Sequence, residues 1–276
     1  MRSGVATLPF AMPELPEVET ARRLADCTLT GHTIVRAAVA TDPIVFDGVS
    51  AKHIRNALEG VRVVGAGRKG KHLWLQLDRR PWPCFHLGMT GRFLTGIAGT
   101  PTPPWCKLAL DTDAGTQLVF INKRRLGRVR LRNDPTGEQP ISDLGFDALN
   151  ELPNVRDMRD LMAKRKAPVK AVLLDQGVLS GIGNWIADEI LYQARIAPSR
   201  PAASLGLGEV ANIRRTTRRI LQRAVDVDAD ADRFPRVWLF HHRWGKNHGT
   251  RTARGEAITF STVAGRTTAW VPEVQA

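Results

Sequence analysis

The sequence is poor in the features that would give it a metal centre, a disulfide scaffold or a membrane anchor. Its three cysteines, Cys27, Cys84 and Cys106, lie far apart and form no Cys-x-x-Cys pair, which excludes a cysteine zinc site and a disulfide framework; reduced, partly buried thiols are expected. His241 and His242 are adjacent and His248 follows six residues later, poor spacing for ligation from one face, so we expect no metal and no cofactor. No apolar run reaches the roughly 18 residues a membrane span needs, and no basic amphipathic helix carries the aromatics of an interfacial anchor. Residues 1–12 contain one arginine and a short apolar stretch broken by Pro9, too little for a secretory signal. A cytoplasmic protein, nucleoid-associated if bacterial, is expected.

Acidic side chains are scarce relative to basic ones. Asp and Glu number 27 against 40 Lys and Arg, a formal net charge of +13, and so unbalanced a positive field favours a polyanion, nucleic acid first, over a small neutral substrate. Apolar side chains are plentiful, 43% of 276 residues, enough to fill the cores of about two domains.

Periodicity divides the chain. Leu15, Val18, Ala21 and Leu24 recur at helical spacing after a proline pair, with Arg22 and Arg23 on another face. Strand-like runs follow in TIVRAAVA, HLWLQL, CFHLGM, KLALD and QLVFI, the last two joined by a DTDAG hairpin turn, so a β-rich domain is expected over 13–133. NDPTGEQPISDLG reads as a linker within 134–151. Over 152–232 the period turns helical in VKAVLLDQG, NWIADEILYQARI and GEVANIRRTTRRILQRAV. VDVDADADRFPRVWLFHH then runs from a helix end into an apolar strand, and AITFSTVAGRTTAWVPEV makes a hairpin with Arg266 near its tip, a small β appendage over 233–276.

Several stretches carry chemistry together. AMPELPEVET precedes the β domain, which holds GRKGKHLWLQL, HLGMTGRF and NKRRLGRVRL; the helical domain holds LLDQGVLSGIGNWIADEILYQARI. SGIGNWIADE puts two glycines and Asn184 at a helix start, where free N–H groups and the helix dipole favour phosphate. As a dinucleotide fingerprint it fails, because the third glycine is missing and no strand precedes it. Over residues 12–276 the sequence resembles the formamidopyrimidine-DNA glycosylase and endonuclease VIII family, and its GRTTAWVPEVQ ending looks closest to the plant-type branch with a zincless finger. The resemblance implies an α+β protein: an N-terminal β-sandwich domain with a leading helix, a helical helix-two-turn-helix domain, and a zincless β-hairpin finger.

The resemblance also assigns roles. A terminal proline is a secondary amine of pKa about 8, and Pro13 becomes the nucleophile that attacks C1′ of a damaged nucleotide, expels the base and leaves an iminium. Taken alone, Pro13 would be a helix-entry proline, a part that Pro16 fits better. Glu14 becomes the general acid or base, although a carboxylate is favoured at a helix N-terminus in any case. Lys71 aligns with the catalytic lysine; taken alone it would be one cation of a basic hairpin, with Arg68 and Lys69 as solvated neighbours. Met89, Arg124 and Leu126 match the triad that fills the gap left by a flipped nucleotide, Leu126 standing where many relatives have phenylalanine. Asn184, Lys170, Lys107 and Arg165 resemble phosphate contacts. Arg266 matches an arginine that zinc-bearing relatives present on a cysteine-clamped hairpin. Lacking those cysteines, the hairpin is expected to be held by packing of Trp238, Phe240, Ile258, Phe260 and Trp270, so that Arg266 binds phosphate and aids δ-elimination.

The expected protein is a monomeric DNA glycosylase and AP lyase acting on damaged double-stranded DNA, excising oxidised or ring-opened bases and cutting the strand by β,δ-elimination without a cofactor. Residues 1–12 are expected to be absent from the active form, since they make the Pro13 nitrogen an amide; if retained, the alternative is a non-catalytic lesion-binding protein. A helix-two-turn-helix RNA-binding or ribosomal protein is a second alternative, against which Pro13, Glu14 and Lys71 argue. The acidic stretch with Asp226, Asp228, Asp230 and Asp232 leaves little chain for a lid over a flipped base, so weak excision of 8-oxoguanine is expected.

Overall fold

A computed structural model describes residues 13–245, 247 and 249–276. The expected N-terminal extension, residues 1–12, and His248 of the metal reading lie outside the described residues. The chain divides into two compact units between Asp143 and Leu144, within the stretch read as a linker.

The first unit opens with α1 (Leu15–Leu29), whose buried stripe of Leu15, Val18, Ala21, Ala25 and Leu29 follows the helical period. Then come β1 (Ile34–Val39), α2 (Ala51–Leu58), β2 (Val63–Lys69), β3 (His72–Leu77), β4 (Trp82–His86), β5 (Arg92–Ile97), β6 (Cys106–Thr112), β7 (Thr116–Ile121) and β8 (Arg128–Arg132). They form two four-stranded antiparallel sheets, ordered β1-β6-β7-β5 and β2-β3-β4-β8. Alternation decides which side chains enter the core between the sheets: Leu73, Leu75 and Leu77 of β3 join Phe85, Phe93, Phe120 and Val129 there, with α1 packed alongside. Sequence periodicity missed α2, β2, β5 and β8; VVGAGRK of β2 is glycine-rich and RVRLR of β8 carries arginine at every outward position.

The second unit holds β9 (Phe146–Asp147), α3 (Val155–Ala163), α4 (Val169–Leu174), β10 (Leu179–Ser180), α5 (Asn184–Ala194), α6 (Leu207–Asp226), β11 (Thr259–Val263) and β12 (Arg266–Trp270). Two tight turns separate α4 from α5. Residues 233–242 are not the apolar strand that their composition suggested. They form short 3-10 turns at Ala231–Arg233 and Leu239–His241, because Phe234, Trp238 and Phe240 all pack on Trp185 of α5, with ring centroids 5.7, 6.5 and 5.1 Å away. β11 and β12 pair from Val263↔Arg266 to Thr259↔Trp270 around Ala264 and Gly265, both with positive φ (50° and 68°), as a two-residue hairpin requires. Among the described residues no helix is long and apolar enough to cross a membrane.

Candidate active site and nucleic-acid contacts

Glu14 is the N-cap of α1 and is only 2% exposed. Its backbone N–H donates to Oε2 of Glu17 at 3.0 Å, as in a capping box, and Pro16 fixes the first turn. Glu17 is the residue that sequence reasoning passed over. Its Oε1 is enclosed without a hydrogen-bond partner, and its pKa is pushed up to about 7, by burial first and by the Glu14 charge second, with Lys71 pulling the other way. Glu14, Glu17 and Lys71 therefore share one electrostatic neighbourhood beside Pro13. Lys71 follows Gly70, whose φ of 56° makes the tight β2–β3 turn that ends in the Lys69↔His72 pair. Next to it, His72 is pushed down to about 3 and His86 to about 4, by burial first and then by nearby positive charge, so both imidazoles stay neutral.

The position of α1 over this turn has an ionic cause. Arg68 is not solvated, as a neighbour in an ordinary basic hairpin would be. Its side chain is 1% exposed and its Nε donates to Oε2 of Glu19 at 3.0 Å, while Arg22 and Arg23 bond the same carboxylate. Glu19 thus ties the helix that carries Pro13 and Glu14 to the strand that leads to Lys71.

A second cluster surrounds Asn122, which is fully buried. Its amide donates to the Leu87 carbonyl at 3.0 Å and its Oδ1 accepts the Gly127 N–H at 3.3 Å. The loop carrying Met89 and the loop carrying Arg124 and Leu126 are pinned to one side chain as a result. The approach is so close that a Cβ on Gly88 would overlap the Leu126 carbonyl, and the Thr90 hydroxyl accepts the Arg124 N–H at 3.3 Å. Met89 is half-buried, Arg124 is exposed, and Leu126 is 43% exposed. Arg125, with φ of 55°, points instead to Asp42 and bonds it through Nε and Nη2, both at 2.9 Å.

Lys107, Arg165 and Lys170, the basic residues expected to contact phosphate from outside the hairpin, are otherwise engaged, and the Asn184 side chain is bonded as well. Lys107 Nζ lies 2.8 Å from Asp42, a carboxyl held well below the usual range because Arg125 and Lys107 outweigh its burial. Arg165 folds back to donate to the Leu161 carbonyl. Lys170 overturns its expectation outright. Its side chain is 0% exposed, and Nζ meets Asp188 Oδ1 at 2.6 Å, Thr268 Oγ1 at 2.8 Å and the Thr267 carbonyl at 3.1 Å. A cation enclosed in this way has no surface from which to meet phosphate.

Lys170 instead holds the hairpin. Asp188, buried on α5, also accepts from Arg243 at 2.7 Å and from the Ala269 N–H of β12 at 3.0 Å, and Asn184 donates to the Thr267 carbonyl at 2.9 Å. Packing contributes as well. Tyr192, Leu239, Ile258, Ala269 and Val271 form a small core with Phe260 against it, whereas Trp238 and Phe240 pack on Trp185. The hairpin is therefore fastened by a polar triad that composition did not reveal, in addition to apolar contacts. Arg266 stands exposed at the start of β12. Among the described residues no group of three His, Cys, Asp or Glu side chains could hold a metal ion.

Comparison with known proteins matches this arrangement. The formamidopyrimidine-DNA glycosylase N-terminal domain fits residues 12–129 and the formamidopyrimidine-DNA glycosylase H2TH domain fits residues 144–235. A formamidopyrimidine-DNA glycosylase of Arabidopsis thaliana is 43% identical over 277 residues, covering 96% of this chain and 71% of that protein. One from Geobacter metallireducens is 33% identical, covering 96% and 100%. The Lactococcus lactis enzyme bound non-covalently to DNA containing an AP site superposes with a TM-score of 0.82 at 25% identity, covering 95% of this chain and 99% of that one; its complex with FAPY-dG DNA gives the same values. Family domains, relatives and fold define a DNA glycosylase of base-excision repair. The chain belongs to the formamidopyrimidine-DNA glycosylase family.

Proposed function

We propose that Pro13, released as a free terminal amine, is the nucleophile of a glycosylase and AP lyase acting on oxidised or ring-opened bases in double-stranded DNA. The observation that carries this reading is the grouping of Glu14, Glu17 and Lys71 at the start of α1, with Glu19 and Arg68 fixing helix to strand. The Pro13 nitrogen forms a bond to C1′ as the N-glycosidic bond breaks and its electron pair leaves with the base, which takes up a proton. The nitrogen gives up its proton, and Glu14 delivers a proton to O4′ as the C1′–O4′ bond breaks, so that the ring opens and the nitrogen lone pair forms the C1′ iminium. The resulting iminium acidifies the C2′ proton; its loss expels the 3′ phosphate, and a second elimination expels the 5′ phosphate. Lys71 assists these steps as a nearby cation.

Met89 and Leu126 serve as wedges for the gap and Arg124 meets the orphaned base, supported by their common anchorage on Asn122. Asn184 and Arg266 contact phosphate. Lys107 and Arg165 act by holding Asp42 and the end of α3, and Lys170 acts through the hairpin. The protein works as a monomer, without metal or cofactor, its 1–12 segment removed. With that segment attached, the Pro13 nitrogen is an amide without a usable lone pair, and the protein binds lesions without cutting them.

Single-turnover cleavage of a formamidopyrimidine duplex by a protein beginning at Pro13 tests the reading. Glu14→Gln should slow base release by about 100-fold or more, the usual scale for a lost acid–base group, while leaving duplex affinity unchanged. Equal rates for the two proteins would remove Glu14 from the chemistry.

A further inference from the structure

Trp105 is out of place for a folded protein. It is 51% exposed, while the other exposed large apolar side chains nearest it in sequence are Ile97 and Leu126. Its φ of 63° lies in the left-handed region, where a bulky aromatic residue is rare and strained. The strain is imposed by contacts on both sides: the Trp105 carbonyl accepts the Asn122 N–H at 3.0 Å, and the following Cys106 N–H turns back to the Pro103 carbonyl at 3.3 Å. Lys123 then places its ammonium 4.7 Å from the Trp105 ring centroid, a cation–π cap over one face.

These contacts join Trp105 to the residues already grouped. Asn122 holds the Trp105 backbone through its N–H, the Met89 loop through its amide and the Leu126 loop through its Oδ1. The backbone of Trp105 is fixed at the edge of this cluster while half of its ring stays exposed. Stacking against a planar partner hides its apolar face, and a nucleobase is the planar partner a DNA-binding surface meets.

We propose that Trp105, capped by Lys123, is a stacking platform for an unpaired nucleobase, the base opposite the excised nucleotide. It supplies the flat aromatic surface that Leu126 does not. The inference rests on the proposed glycosylase reading and deepens it by naming a further residue that determines opposite-base preference. Purines, with the larger π-face, are held better than pyrimidines on the face that Lys123 leaves open.

The test uses the full-length protein and duplexes that carry a stable abasic-site analogue opposite 2-aminopurine. Stacking on Trp105 should keep 2-aminopurine fluorescence quenched in the wild-type complex. Trp105→Ala should relieve the quenching and weaken binding about tenfold, with a smaller effect for Trp105→Phe, and should flatten the dependence of affinity on the opposite base. Trp105→Gly separates function from folding. It removes the ring at a position where glycine is unstrained, so it should melt no lower than wild type and still lose the quenching. Quenching retained in Trp105→Gly, or an opposite-base preference unchanged in Trp105→Ala, overturns the proposal. Borohydride trapping by Trp105→Gly starting at Pro13 reports the chemistry separately: a variant that traps but does not quench supports both readings, one that traps and still quenches overturns the stacking proposal alone, and absence of trapping by the otherwise wild-type protein starting at Pro13 overturns the catalytic reading.

Discussion

Replacing Asp188 by asparagine perturbs the hairpin at its base with almost no change of shape. The wild-type carboxylate is 0% exposed and neutralises Lys170, also 0% exposed, and Arg243, whose side chain is 5% exposed, at 2.6 and 2.7 Å. Asparagine can still accept the Ala269 N–H, but it removes the carboxylate that pairs with both enclosed cations. Removing one partner of a buried ion pair typically costs about 3–5 kcal/mol, and at roughly 3–4 °C per kcal/mol for a unit of this size melting should fall by about 10–20 °C. The loss should be larger than any hairpin point contact could give, because Lys170 also donates to Thr267 and Thr268 at the start of β12. Calorimetry of wild type, Asp188→Asn and the triple change Lys170→Met, Asp188→Leu, Arg243→Met measures it. The triple change removes all three charges and should recover most of the loss. Below wild-type melting, Asp188→Asn should also leave more of the β-elimination product uncut by δ-elimination, as Arg266 loses its support. An Asp188→Asn protein that melts within a degree or two of wild type would refute the reasoning that this triad fastens the hairpin.

Glu17→Gln should change the pH dependence of stability. The folded protein retains a proton on Glu17 up to about pH 7, which the unfolded chain releases near the ordinary glutamate value of about 4.3; wild-type stability therefore falls over that window. The variant should gain relative to wild type at pH 8 and not at pH 4, and equal melting differences at both values would contradict this. Arg266→Ala should lower duplex affinity and flatten the plot of log affinity against log salt by about one unit, an unchanged slope removing Arg266 from the phosphate contacts. Excision of 8-oxoguanine opposite cytosine should be much slower than excision of a formamidopyrimidine in the same context, because the chain leaves α6 at Asp226 and enters turns packed on Trp185 with little length for a lid; matched single-turnover rates decide it.

The sequence was most legible where one periodicity dominated. The stripe of α1, the alternation of β3 and the long α6 were read directly, since each buries one regular face. Short elements with mixed composition escaped: α3 and β8 present charges along most of their length, and their burial depends on neighbours distant in sequence. At the candidate site, Pro13, Glu14 and Lys71 are proposed through motifs. Asn122, Asp42 and Asp188 were not legible, because each acts by holding loops or cations brought together by the fold, and no local pattern marks a residue for that. Lys170 was misread for the same reason. A lysine near a helix start resembles a phosphate ligand until Asp188, eighteen positions later, is seen to enclose it.

The central claim is that a free Pro13 amine forms a covalent imine with the sugar at a lesion. Borohydride trapping on an abasic-site duplex, comparing protein that begins at Pro13 with the 276-residue chain and with a Pro13→Gly start, tests it most directly. The account predicts strong trapping by the Pro13 form, none by the extended chain with its N-terminus intact, and weaker trapping by the glycine form. Robust trapping by the intact extended chain, or none by the form beginning at Pro13, would contradict it.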